Sequence, residues 1–181
     1  MFGVTQFIVP YSYWKSGLSG ERMVIDNISP KLGNEHSLFN DVMLKDGKRS
    51  GNIDHIIVGP RGIFVLETKN IRGRFTVSGD NWKGLRRSPS VQAKNNAGRL
   101  HHLLSESKIF GSNFPYVEAA VVLPNNKAQL DIEKKPENCQ IIQIRDRADH
   151  SLYEWILNHQ EVVFSSDEIG IIVEFLRSKI I

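Results

Sequence analysis

The sequence predicts an α/β domain built on a mixed central β-sheet with helices covering it. Three observations carry this. Three strand-patterned runs follow one another between residues 37 and 69, a long amphipathic helix comes next, and two further apolar strand runs and two helices complete the chain. The order is α-β-β-β-α-β-β-α-α, and 181 residues suit one domain, 1–181, with a substantial core and no internal linker.

The elements are read in order. Leu18, Val24, Ile25 and Ile28 recur at helical spacing until Ser29-Pro30 stops the run. Ser37 to Leu44 has a strand pattern, and Asp46-Gly47 within Lys45 to Lys48 suits a tight hairpin turn. A second strand, Asn52 to Val58, joins a third, Ile63 to Lys69, through Gly59-Pro60-Arg61-Gly62. Arg74 to Val77 is a short further strand, ended by Ser78-Gly79-Asp80. Ser88-Pro89 starts a helix running to about residue 107, with Ala93, Ala97, Leu100 and Leu104 as its apolar stripe. Tyr116 to Leu123, ended by Pro124, reads as a buried strand, and Gln140 to Arg145 as another. The polar segment between them, Asn125 to Asn138, is expected to be a surface loop. Ser151 to His159 is helical, and the capping box of Ser165 and Glu168 opens the last helix, with Ile169, Ile172, Val173, Leu176 and Ile180 on one face.

Composition narrows the class. With 40% apolar and 24% charged residues the chain is neither fibrous nor disordered. Cys139 is the single cysteine, which excludes an internal disulfide framework and a zinc site built on paired cysteines, and fits a reducing compartment. The apolar stretch Phe7 to Trp14 is far short of the roughly 20 residues of a membrane helix, is interrupted by Pro10, and has no positive segment before it. The expected location is cytoplasmic, with no membrane partner.

Charges break the apolar pattern at a few places. Glu21 shares the first helix's face with Leu18, Val24, Ile25 and Ile28. It either enters the core side or escapes to solvent at the helix start, where a carboxylate favours the dipole. Asp54 stands among Ile53, Ile56, Ile57 and Val58, and Glu67 and Lys69 follow Ile63 to Leu66. Two apart on one strand, Glu67 and Lys69 project together, roughly 7 Å from each other. If Gly59 to Gly62 is a two-residue hairpin, Asp54 stands opposite Glu67, with Cβ atoms roughly 5 Å apart. Like charges there are unfavourable unless something cationic lies between them. A hard divalent ion with oxygen ligands meets that need, and Mg²⁺ suits a site with few carboxylates. Lys69 could then act on the attacking water and balance developing charge. The alternative is a plain ion-paired cluster at the strand ends. A bulge at Gly62 would shift the register by one and turn Asp54 away.

These residues resemble a known family. Gly17-Leu18-Ser19-Gly20-Glu21, the run Ile53-Asp54-His55-Ile56-Ile57-Val58, and Gly62 to Asn70 with its Glu67-Thr68-Lys69, together with Gly73, Trp82, Pro89 and Gln92, are similar to the nuclease-related domain, NERD, a branch of the PD-(D/E)xK superfamily. The similarity spans roughly residues 17–100, and residues 101–181 would complete the sheet and its covering helices. The resemblance implies a restriction-endonuclease-like three-layer fold with an αβββαβ core and Mg²⁺-dependent hydrolysis of a phosphodiester, Mn²⁺ being a substitute. Carried over position by position, Asp54 and Glu67 are metal ligands, Glu21 helps bind the metal, Lys69 activates water or stabilises charge, and Gln92 supports the site from its helix. Ile53 stands where the superfamily's name has Pro, a departure that many members share.

Between Lys69 and Arg99 the bases Lys69, Arg72, Arg74, Lys83, Arg86, Arg87, Lys94 and Arg99 face one acid, Asp80, a net +7. Since the whole chain carries +3, the remainder totals −4. Basic charge beside a metal centre suits phosphate-backbone binding without base specificity, so Arg72, Arg74, Lys83, Arg86, Arg87, Lys94 and Arg99 are the expected nucleic-acid contacts. Trp82 among them is expected to pack. His55 reads as core or as support behind the site. His101 and His102 are adjacent on a helix and make a poor metal pair, and Cys139 reads as a buried thiol. The expected activity is that of a metal-dependent deoxyribonuclease. Two other classes compete with it: a catalytically silent nucleic-acid-binding module on the same fold, and a small scaffolding domain that docks through its basic stretch. A homodimer would suit a duplex cutter, but nothing in the sequence demands one.

Overall fold

The front of the sheet follows from turn length. In the computed structural model, which describes residues 15–44, 51–107, 109, 114–159 and 161–180, β1 (Ser37–Met43), β2 (Asn52–Gly59) and β3 (Gly62–Thr68) form an antiparallel meander. Gly59 pairs with Gly62 and Val58 with Ile63. Only Pro60 and Arg61 lie outside the ladder, so the two-residue hairpin forms with no slip of register. Gly62 has φ 138°, a region that side chains with a Cβ rarely adopt. The apolar stretch Phe7 to Trp14 and the Asp46-Gly47 turn lie outside the described residues.

Two parallel strands extend this meander. β6 (Val117–Leu123) pairs with β3, and β8 (Gln140–Gln143) pairs with β6, giving the order β1-β2-β3-β6-β8. β3 and β6 are covered on both faces, and for that reason they read as nearly unbroken apolar runs rather than alternating ones. On one face Ile63, Val65, Ala119 and Val121 pack with α2 (Pro89–Glu106) and α4 (Ser166–Lys179). On the other, Phe64, Leu66, Ala120 and Val122 pack with α1 (Lys15–Ile28) and α3 (Ser151–Asn158). The result is a three-layer α/β domain with a mixed central sheet, as the sequence predicts. Both expected helix starts are present. Ser88 Oγ accepts the Val91 N–H with Pro89 behind it, and Ser165 and Glu168 form a reciprocal capping box.

Two expectations need correction. The segment from Asn125 to Asn138 is not a plain loop: it contains β7 (Ala128–Lys134), which pairs in parallel with β4 (Gly73–Ser78). Ala128, Leu130 and Ile132 alternate with Gln129, Asp131 and Glu133, a period of two that the surrounding charge obscures. A short strand unseen in the sequence, β5 (Asn81–Lys83), completes a second sheet of order β5-β4-β7. Its inner residues Val77, Trp82 and Ala128 join the core on the α2 side. The chain's order is therefore α-β-β-β-β-β-α-β-β-β-α-α.

Candidate active site

The carboxyl end of β3 is where the charged residues gather. Continuing the observed register one rung past His55 and Leu66 sets Asp54 opposite Glu67. The backbone ladder stops there, and the Asp54 carboxylate takes over the pairing by accepting the Thr68 N–H at 2.7 Å. Glu67 is 5% exposed, so it is not a strand-end residue reaching into water. Lys69 donates to Glu67 Oε1 at 2.6 Å, and the Lys69 N–H bonds the carbonyl of Val122 on β6 at 2.9 Å, which fixes the backbone from which the ammonium extends.

Glu21 is brought to the same place by a glycine. A Cβ on Gly20 would stand 2.7 Å from Asn70 Cβ and 3.3 Å from both Thr68 and Pro124, so only glycine lets α1 pass this close to the end of β3. Asn70 then donates to Ser19 Oγ at 3.0 Å and pins the helix there. Glu21 is partly buried rather than free in solvent. Burial raises its pKa above the usual carboxylate range, Asp41 and Glu67 add to that, and Lys69 opposes it. Of the two sequence readings of Glu21, the inward one holds.

Asp54 is the most perturbed acid of the group. Its removal from water and the neighbouring Glu67 carboxylate push it up to about 7, Glu21 adds to the rise, and the Thr68 N–H and Lys69 pull the other way. Among the described residues these three carboxyl groups thus share the Lys69 ammonium. Glu67 is ion-paired, while among the described residues Asp54 accepts one hydrogen bond, on Oδ2, from the neutral Thr68 N–H. This is the imbalance that a cation would relieve.

Asp41 is a site neighbour that sequence reasoning missed. It has φ 52°, and the rung between Asp41 and Asp54 is absent from the ladder between Asn40–His55 and Val42–Ile53. Its carboxylate accepts from Asn52 and acts on Glu21. An Asp directly across from Asp54 was the available signal, since like charges on one rung disfavour regular pairing. Asn125 was missed too: it donates to Asn70 Oδ1 at 2.5 Å and ties the end of β6 to the end of β3.

The remaining expected residues divide. Gln92 lies partly buried in the first turn of α2, and among the described residues no hydrogen bond joins it to the carboxylates. Arg72, Arg74, Lys83, Arg86 and Arg87 are exposed on the small sheet and the segment leading into α2. Lys94 is engaged with Asp80 at 2.6 Å, and Arg99 donates to the Gly51 carbonyl at 2.6 Å. Trp82 packs, 3% exposed, with its N–H on Ser90 Oγ at 3.2 Å. Cys139 is buried and its thiol is pushed up to about 12 by that burial, so it is no nucleophile.

As a donor set, Asp54 and Glu67 with Glu21 beside them offer oxygen atoms only. Among the described residues no three His, Cys, Asp or Glu side chains close into a ready-made cage. Few protein oxygens with room for water is the pattern that suits Mg²⁺. No helix of the described residues is long and apolar enough to cross a membrane. No curated protein and no solved structure matches the chain. The nuclease-related domain, NERD, matches residues 16–124, which takes in nearly all of α1, the β1-β2-β3 meander, α2 and β6, and therefore Glu21, Asp41, Asp54 and Glu67. The chain belongs to the NERD family, the nuclease-related domain, and that membership suggests a nuclease-related function.

Proposed function

We propose that the protein is a metal-dependent nuclease that hydrolyses phosphodiester bonds of DNA. The observation that carries this reading is the meeting of Glu21, Asp54 and Glu67 around the ammonium of Lys69, with Asp54 raised to about 7 by burial and by Glu67. A domain that only binds nucleic acid gains nothing from buried like charges, which cost stability. Asp54 and Glu67 would hold the metal and Glu21 would assist them. A bound Mg²⁺ supplies a Lewis acid for the phosphoryl oxygens and the positive charge this acid cluster lacks. Lys69 is held by Glu67 at the edge of the site and is 26% exposed, so its ammonium can face a phosphate and stabilise the charge that builds on it. Gln92 would line the site from α2. The exposed Arg72, Arg74, Lys83, Arg86 and Arg87 would hold the backbone of the substrate, and Lys94 and Arg99 would brace that surface through their own partners.

The test is incubation of wild type, Asp54→Asn and Lys69→Ala with plasmid, linear, branched and single-stranded DNA, with Mg²⁺, with Mn²⁺ and with chelator. Cutting by wild type that depends on the cation and falls at least about 100-fold in both variants is the expected result. Equal cutting by all three proteins removes the assignment to this site. Cation-independent, salt-sensitive binding without cleavage of any substrate supports the silent binding module instead.

A further inference from the structure

His55 is buried to 0% exposure between β1 and β3, on the face of the sheet opposite Glu67. Its Nδ1 lies 2.7 Å from Asn40 Oδ1, and its Nε2 lies 3.2 Å from Thr68 Oγ1. An amide oxygen only accepts, so Nδ1 carries the hydrogen. The ring is fully buried and its two partners, an amide oxygen and a hydroxyl, are both uncharged, so it sits as a neutral imidazole with one hydrogen. Nε2 therefore presents a lone pair, and the Thr68 hydroxyl donates to it. Each polar atom of the ring has one use, and both uses are met.

A satisfied core histidine would show the same two bonds. What separates His55 from that case is the residue it grips. Thr68 stands between Glu67 and Lys69, with its side chain toward His55 and its N–H on Asp54 Oδ2 at 2.7 Å. The neighbouring Lys69 N–H is bonded to Val122 on β6. Thr68 is thus the point at which β1, through Asn40 and His55, acts on the carboxylate of β2. Without the hydroxyl bond, Thr68 is free to rotate its side chain and tilt its peptide, and the Asp54 carboxylate loses the fixed Thr68 donor that orients it.

We propose that His55 is a positioning residue for Asp54, acting through the Thr68 hydroxyl and the Thr68 peptide so that one Asp54 oxygen is held and the other is aimed into the site. The inference rests on the nuclease reading. Partners of this kind typically contribute about 10- to 100-fold to metal affinity or activity.

Thr68→Val removes the hydroxyl while keeping the branched shape, and Thr68→Ser keeps the hydroxyl. Mn²⁺ binding by titration calorimetry, kcat and KM on a cleaved DNA, and thermal melting are measured on the three proteins. Thr68→Val is expected to bind Mn²⁺ at least about 10-fold more weakly and to lose kcat by a similar factor with KM for DNA little changed, while Thr68→Ser stays within about threefold of wild type. A packing role alone would lower the melting temperature of Thr68→Val and leave Mn²⁺ affinity and kcat intact, and that outcome overturns the proposal. So does a Thr68→Ser protein as impaired as Thr68→Val. If wild type neither binds Mn²⁺ nor cuts DNA, the nuclease reading fails, and the relay is judged by NMR alone. Faster exchange of the Thr68 amide in Thr68→Val than in wild type or Thr68→Ser, with the His55 proton on Nδ1, upholds it. Equal protection in all three proteins, or a proton on Nε2, ends it.

Discussion

Replacing Asp54 by Asn should stabilise the metal-free protein at alkaline pH while abolishing its response to Mg²⁺. The carboxyl's ordinary value is 3.8, and burial with the neighbouring Glu67 raises it to about 7 in the fold. The folded protein then holds this proton more tightly than the unfolded chain does, so wild type loses stability as pH climbs from 3.8 through about 7. At about 1.4 kcal/mol for each tenfold change in proton affinity, the loss is about 4 kcal/mol above pH 7 and below about 2 kcal/mol at pH 5. Asn occupies the same volume, and its Oδ1 still accepts the Thr68 N–H, so the substitution removes the charge and little else. For a chain of this size about 4 kcal/mol corresponds to about 8 to 16 °C in melting temperature. Melts in chelator at pH 5 and pH 8.5 measure it: Asp54→Asn should gain most of its advantage only at the higher pH. Addition of Mg²⁺ at pH 8.5 should then raise the melting temperature of wild type and leave the variant where it was. Coincident melts at pH 8.5, or a variant less stable than wild type there, would refute the claim that Asp54 is a buried charge awaiting a cation.

The same carboxyl sets a pH dependence for the cation. Binding requires the ionised form, so Mn²⁺ affinity should rise close to tenfold per pH unit up to about pH 7 and level off above it, and calorimetry showing a flat profile from pH 5.5 to 8.5 contradicts that. Gly20→Ala puts a Cβ 2.7 Å from Asn70 Cβ and must lift α1 away from β3. Because a displacement on the order of 1 Å at a reacting centre costs on the order of 100-fold, cleavage should fall by about that factor, and a variant with wild-type rates would show that Glu21 is dispensable. Arg86→Ala and Arg87→Ala alter exposed side chains and should leave folding unchanged while each lowers the salt slope of DNA binding by about 1. Lys94→Ala should do the reverse, losing stability with the Asp80 ion pair while the slope changes less. Both kinds of variant can be read from binding isotherms at several salt concentrations together with melts.

Local periodicity and turn length determined a large part of this protein from sequence alone. Two residues between Gly59 and Gly62 set the hairpin register, that register continued one rung past His55 and Leu66 sets Asp54 opposite Glu67, and the spacing of two put Lys69 beside Glu67, because a strand's side chains alternate whatever surrounds them. The caps at Ser88 and Ser165 were legible for the same short-range reason. Tertiary packing decided the rest. Asn70 lies 51 positions from the Ser19 it bonds, so no local pattern could say that Gly20 lets α1 close onto β3 and turn Glu21 inward. β7 is mostly exposed, and its faint alternation becomes a strand only when β4 offers a ladder. Lys94 and Arg99 look like their basic neighbours in sequence, but Asp80 and the Gly51 carbonyl engage them in the fold. Whether a charge serves a ligand or a neighbour depends on which segments the core brings together, and that is a property of long-range contacts rather than of the residues in a row.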